Sequence, residues 1–495
     1  MPTSCAYVVG SNSSIHQVTR SKTCMKSPRN TKSLKRSLET AAMDDVEMID
    51  EKRSTIVVKE LPQFDLESWI QNYSGNTQIV RLLFIAERCP ELAVDALKAA
   101  ITLIKEKSLD VRRYSDAVEH LQRISPDAVE AKLDDQWIEQ TSRKARSQTE
   151  KLESELKSYR NNLIKESIRM GHDDLGKHYY NIGDLSSALK SYSRIRDYCT
   201  TPTHILSMCL EVIRVSIELH NFSHAQAYVI KAQGLADSPE KAEVSPILQA
   251  SNALVSLDGG RYQDAATAFL NVSPYLGMQY NYIIAPQDIA TYATLCALAT
   301  FSRQQLRSSL LDSPSFKPFL EYTPHLLTAA EAFYGSKYST CFDILEKYKN
   351  DFLLDIYLSE HVEKLYKAIR QRALTQFFLP FQKVSLEKMA SVFATSVETM
   401  EDELVGLIQQ GVIDGRLDTQ DKLLAAKQKN QRTELFVKTR SMATNYETTA
   451  KLLLTHVKLV RAGLDVKQGK SQIQTQQEQV DSGEPEPMIE DDGAF

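Results

Sequence analysis

Ten histidines, seven cysteines and 64 acidic residues give this 495-residue chain material for metal binding, proton transfer or nucleophilic attack. Their spacing decides whether it is used. No two histidines flank a single residue and no His-Glu-x-x-His occurs, so the paired imidazoles that hold a hydrolytic zinc ion are missing. His220 and His224 are four apart, which suits a metal on one helical face, but alignment of the repeats described below puts His220 in a turn between helices. Gly469-Lys470-Ser471 has the ending of a phosphate-binding loop. The upstream Gly463 is one residue too far away, and no strand precedes it. There is no Gly-x-Ser-x-Gly elbow. Asp134-Asp135 and Asp173-Asp174 are paired carboxylates, yet both are expected where a helix begins or turns, where favourable charge at a helix N-terminus accounts for them. Tyr179, Tyr192, Tyr262 and Phe269 could stack on bases, but they fall at packing positions of the repeats. The seven cysteines are odd in number and lack a Cys-x-x-Cys pair, as suits reduced thiols in the cytosol or nucleus. The expectation is a protein that is not an enzyme and carries no cofactor and no metal.

The elements that would position these residues are mostly helices. Gly and Pro are sparse, and no apolar run approaches the ~20 residues of a membrane span. The N-terminus lacks the apolar core of a secretory signal, so a soluble, non-exported protein without membrane partners is expected. A net charge of -5 is too small to indicate a polyanionic partner. Residues 1–58 form a basic leader, expected to be disordered, with Arg20, Lys22, Lys26, Arg29, Lys32, Lys35 and Arg36 before the first acid at Glu39. It reads as a solvated tail or as a nuclear-import patch around Lys32 to Arg36. Residues 59–133 are a helical region: Leu66, Trp69, Ile70 and Tyr73, then Ile79, Leu82, Leu83 and Ile85, mark two helices split by a Ser-Gly turn. Asp134 to Met170 is highly charged and reads as a long helical strut.

Helical repeats are expected over 134–345. Leu175-Gly176, Tyr179, Gly183, Ala188 and Tyr192 have the spacing of a tetratricopeptide unit. From Ala188, equivalent small residues return at Ala225, Ala265 and Cys341, after 37, 40 and 76 residues, leaving room for a further pair across Ile289 to Leu311. Such pairs stack into a right-handed superhelix that needs a cap at its end. Residues 381–429, closing a region from 346, read as that cap. A helix over Ser385 to Phe393 is followed by one capped by Thr395, with Val397, Met400, Leu404, Leu407 and Ile408 as its stripe and Gly411 as its stop. Val412 to Arg416 and Leu423 to Lys427 form a small β-hairpin. Helix, turn, helix and wing suit reading of a DNA major groove. The second helix, however, carries Glu398, Glu401, Asp402 and Glu403 with no Lys or Arg, so it would be repelled by phosphates and is better suited to a protein. The edge near Ile413, Leu417 and Leu423 would then add to a neighbour's sheet.

After the wing, Leu435, Met442, Tyr446, Thr449, Leu453, Val457, Val460 and Leu464 recur at helical spacing, marking an amphipathic helix over 430–466. Its stripe either meets a partner or folds back on the chain's own core. Residues 467–495 end in an acidic tail with Glu484, Glu486, Glu490, Asp491 and Asp492, expected to be disordered.

Leu386, Met389, Ala390, Phe393, Leu407-Ile408, Gly411, Ile413 and Gly415 to Asp418, with the helices before them, resemble the PCI domain of scaffold subunits in the proteasome lid, the COP9 signalosome and translation initiation complexes. The block from Phe64 to Gly75, continuing through Arg81 to Pro90, and Glu166 to His172 resemble the subunit 1 family of the COP9 signalosome, over roughly residues 60 to 465. The resemblance implies a mainly α fold, with a helical-repeat superhelix, a PCI winged helix and a long C-terminal helix. It also implies a non-catalytic scaffold, cytoplasmic and nuclear, in a complex that removes the ubiquitin-like modifier Nedd8 from cullins and so regulates cullin-RING ligases. Partners would be other PCI subunits, with cullin-RING ligases met through the complex and no nucleic acid. They would be held by Ile413, Leu417 and Leu423 at the wing and by Met442, Tyr446, Leu453, Val457, Val460 and Leu464 on the last helix. A proteasome-lid PCI subunit and a winged-helix DNA-binding regulator are the alternative readings.

Overall fold

A computed structural model describes residues 57–235, 239–427 and 431–464, with two compact units dividing after Ala373. Most of the basic leader, the acidic tail and Gly469-Lys470-Ser471 lie outside the described residues. Val58 lies inside them, buried and donating its N–H to Arg88 O at 2.8 Å.

The first unit is a succession of helical hairpins. Its first four helices are α1 (Leu66–Ile70), α2 (Asn76–Arg88), α3 (Ala93–Lys107) and α4 (Val111–Ile124). α5 (Asp135–Asn161) is the charged strut, but it stops earlier than expected. Leu163 takes a left-handed φ of 56° and turns the chain into α6 (Lys165–Ile182), which packs back on α5 through Leu156, Ile168 and Leu175. Asp134 caps α5, accepting from Trp137 N, as expected; Asp173 and Asp174 instead lie within α6, where Asp173 pairs with Lys177 at 2.8 Å.

The repeats follow: α6 with α7 (Leu185–Ile195), α8 (Pro202–Glu218) with α9 (Phe222–Gln233), and α10 (Pro239–Asp258) with α11 (Tyr262–Leu270). α12 (Pro286–Thr300) is buried along nearly its whole length and leads into α13 (Arg303–Gln305) and a π-helical turn, Leu306–Leu311. Beyond them lie α14 (Lys317–Leu320), the pair α15 (Pro324–Tyr334) and α16 (Tyr338–Lys347), and α17 (Lys349–Leu353); α18 (Val362–Phe378) runs across the division between the units. In four pairs the first helix ends on a left-handed residue, Gly183, His220, Gly260 or Ser336, and these recur at the spacings of the small core residues. Each time the next N–H, of Asp184, Asn221, Arg261 or Lys337, returns to the carbonyl five residues back, which satisfies an end carbonyl and fixes the angle of the hairpin. Ala188, Ala225, Ala265 and Cys341 are all fully buried at the seams. At Gly176 even a Cβ would lie 2.7 Å from the Tyr192 ring, so only glycine lets α6 and α7 close to this distance.

In the second unit α19 (Leu386–Val392) and α20 (Val397–Gln409) pack on a three-stranded antiparallel sheet of β1 (Lys383–Ser385), β2 (Gly415–Asp418) and β3 (Leu423–Ala426), in the order β1-β3-β2. Its core is Leu386, Met389, Phe393, Met400, Leu404, Leu407, Ile413 and Leu424. Ser396, and not Thr395, caps α20, accepting from Thr399 N at 3.2 Å. Gly411, at φ 72°, ends that helix as expected. β1 was not expected, because three residues, Lys383-Val384-Ser385, are too short to show alternation. After the wing comes α21 (Gln431–Arg461).

Candidate assembly interface

α21 is 31 residues long, so it extends about 46 Å. Apart from Ala450, every residue whose side chain is described on it is exposed. Of the residues expected to meet a partner, Met442, Tyr446, Leu453, Val457 and Val460 lie on this helix, with exposures from 48% at Val457 to 78% at Tyr446. Leu464 is exposed too, but it lies past the helix end. Gly463 turns left-handed at φ 68° and Leu464 N donates back to Leu459 O at 3.1 Å, so the chain departs from the helical path. Phe436, Leu452, Leu454 and Leu459 are also exposed and were not singled out in the sequence. Folding back of the stripe onto its own core is therefore not the arrangement found. A bare apolar stripe of this length is a surface that soluble monomers avoid.

The wing differs from expectation. Ile413 is only 4% exposed and belongs to the core, so its side chain has nothing to offer a partner. Leu423 lies on β3, the central strand, with β1 on one side and β2 on the other (Leu423 opposite Ser385 and Asp418). Leu417 is on an edge strand, β2, half-buried. The edges are β1 and β2: among the described residues no further strand pairs with either. α20, the helix in the place of a DNA-reading helix, exposes Glu398 and Asp402 and half-exposes Glu401 and Glu403.

A buried polar centre was missed in the sequence altogether. Arg81 of α2 has no exposed surface; its Nη2 donates to Asp288 Oδ2 at 2.9 Å and its Nη1 to Asp355 Oδ2 at 2.6 Å. The Tyr73 ring covers the guanidinium at 4.1 Å, and Tyr73 OH donates to Asp288 Oδ1 at 2.7 Å. Tyr292 OH donates to Asp355 Oδ1 at 2.6 Å, which also accepts from Tyr357 N and Leu358 N at 3.0 Å. Burial, with the charge of Asp355, pushes the Asp288 carboxyl up to about 6 although Arg81 opposes the shift. Nearby, Glu218 accepts from Tyr180 OH and from Asn76 Nδ2 (2.9 Å), and Asn76 Oδ1 accepts from Arg113 Nη1 at 2.6 Å. These two centres fasten α2 and the turn before it to residues more than a hundred positions away. An arginine within the apolar run Ile79 to Ala86 was the available signal, since a buried guanidinium requires carboxylate partners.

The groups considered for chemistry do not assemble. His220 is the left-handed turn residue, while His224 Nδ1 is 2.8 Å from Ser216 Oγ. Among the described residues no three His, Cys, Asp or Glu side chains gather to hold a metal. Burial pushes the thiols of Cys209 and Cys341 up, to about 11 and about 12, away from nucleophilic reactivity.

Helical hairpins followed by a small winged helix define a PCI-domain protein, and the PCI domain model matches residues 345–428. The model of 26S proteasome subunit RPN7 matches residues 134–309, the repeat region. COP9 signalosome complex subunit 1 of Emericella nidulans is 42% identical over 422 residues, 83% of this chain and 84% of the relative. Its Arabidopsis thaliana counterpart is 42% identical over 403 residues (80% and 90%), and subunit 1b of Drosophila melanogaster 36% over 463 (83% and 88%). The chain belongs to the COP9 signalosome complex subunit 1 family.

Proposed function

We propose that this chain is a non-catalytic scaffold subunit of a COP9 signalosome, the complex that removes Nedd8 from cullins and thereby regulates cullin-RING ubiquitin ligases. The observation that carries this reading is α21, an amphipathic helix whose apolar stripe is bare to solvent and calls for other polypeptides to cover it. Its relatives' names supply the complex. Other PCI subunits are its direct partners, joined through α21 and through the open edges of β1 and β2, where Leu417 lies. Cullin-RING ligases are met through the assembled complex, in cytoplasm and nucleus, and the isopeptidase chemistry belongs to a partner subunit. The repeats and the fastened N-terminal helices serve ligase or regulator contacts.

A tagged copy purified from native extract, sized by chromatography and identified by mass spectrometry, tests the proposal. Co-elution with other signalosome subunits and with deneddylating activity is expected. Elution with the 26S particle, or as a lone monomer, would contradict it.

A further inference from the structure

Two adjoining hollows open along α4. One, of about 430 Å³, lies between α2 and α4; the other, of about 690 Å³, continues from it to the turn after α6, and Arg113 and Asp116 line both. The floor is apolar. Leu83, Leu109, Val111, Ile182 and Leu219 are each only half-buried, so part of every one of these side chains is left uncovered. Around the first hollow stand the exposed carboxylates Glu87, Asp116 and Glu119. Two of the arginines beside them are engaged within the chain, Arg113 with Asp110 at 3.4 Å and with Asn76 Oδ1 at 2.6 Å, and Arg123 with Glu119 at 2.6 Å; Arg112 is exposed at the second hollow. Glu87 and Asp116 form no ion pair among the described residues. The chain enters the fold at this place. Val58 N–H donates to Arg88 O, next to Glu87 at the end of α2, so the basic leader joins the structure beside the first hollow. Of the leader's apolar residues, Val46, Met48 and Ile49 stand among Asp44, Asp45, Glu47 and Asp50 and would be repelled by an acidic rim. Leu34 and Leu38, in contrast, are set among Lys32, Lys35 and Arg36 and are four apart, the spacing that one helical turn brings to a single face. The 19 residues from Leu38 to Val57 can span up to ~65 Å, ample for a site beside Arg88.

We propose that residues 32–38 of the chain's own leader dock in these hollows, with Leu34 and Leu38 on the apolar floor and Lys32, Lys35 and Arg36 against Glu87 and Asp116. The contact is made within one chain and does not depend on the scaffold role. The test places a photo-crosslinking phenylalanine analogue at His120, a half-buried residue of the first hollow, in the purified full chain, and identifies the captured peptide by mass spectrometry. Capture of residues 32–38 in a species of single-chain mass is expected. The K32E/K35E/R36E variant, which alters no described residue, should lower that yield severalfold and leave thermal unfolding unchanged. E87K/D116K should lower it as well, and joining the two sets of charge reversals should restore it. Salt near ~1 M, where the screening length falls to ~3 Å, should lower the yield of the native chain too. Capture of a different stretch of the leader, capture only in a species of twice the mass, or no capture would overturn the proposal. So would a yield that charge reversal in the leader leaves unchanged. With the full tagged chain in native extract, capture of a second protein in place of the leader would assign the hollows to an outside partner and overturn it equally.

Discussion

Arg81 shows how much one side chain can decide. Its guanidinium is held by Asp288 and Asp355 and covered by Tyr73, with no exposed surface. Arg81→Ala should therefore destabilise the first unit by about 3–5 kcal/mol, because two buried carboxylates lose their counter-charge. A lowered urea midpoint, with loosened protection of α1 and α2 in hydrogen exchange, would register it. Asp288 adds a pH dependence whose sign is set by its raised pKa. The folded chain binds this proton more tightly than the unfolded chain, so the stabilisation is fullest at low pH and is lost as pH rises through about 6. Asp288→Asn cannot titrate, so its deficit relative to the native chain should be larger at pH 5 than at pH 7.5, by about 1 kcal/mol. A deficit independent of pH would contradict the raised pKa of Asp288. Beyond an arginine set in an apolar run, this was not legible in the sequence, because Asp288 and Asp355 are some two hundred or more residues from Arg81 and each alone reads as an ordinary surface acid.

The helices were legible where the cause is local. Small residues at seam positions and turn-forming residues at matching intervals specified the repeats, and Gly176 and Gly183 did what their types allow: close approach to Tyr192, and a φ of 90°. Gly176→Ala should lower the thermal midpoint by several degrees, consistent with overpacking costs of about 1–3 kcal/mol, since the Tyr192 ring is itself buried and cannot yield. An unchanged melting profile would mean that the α6–α7 seam is looser than it stands. Where pairing is non-local, the sequence said less. The strand Lys383–Ser385 exists because β3 offers it an edge some forty residues later, and this moved Leu423 from the rim of the sheet to its middle. Ile413 was read as an edge residue for the same reason: alternation marks it apolar but does not say which side the core lies on.

At the scale of the whole molecule, the chain buries its repeat core and its winged-helix core, and leaves the apolar stripe of a 31-residue amphipathic helix uncovered. The stripe was visible as periodicity from Leu435 onward; whether it was covered by its own chain could only come from the structure. The claim on which the account depends is that α21 contributes to assembly and nothing to the fold of the rest. It is tested most directly by the Met442→Lys/Leu453→Lys double variant of the full tagged chain, expressed in place of the native one, with the size of the species recovered from extract compared between the two. The account predicts that the native chain elutes in a large complex, and that the variant elutes alone with its thermal unfolding profile unchanged. Recovery of the variant in the same complex, at the same yield, would contradict it.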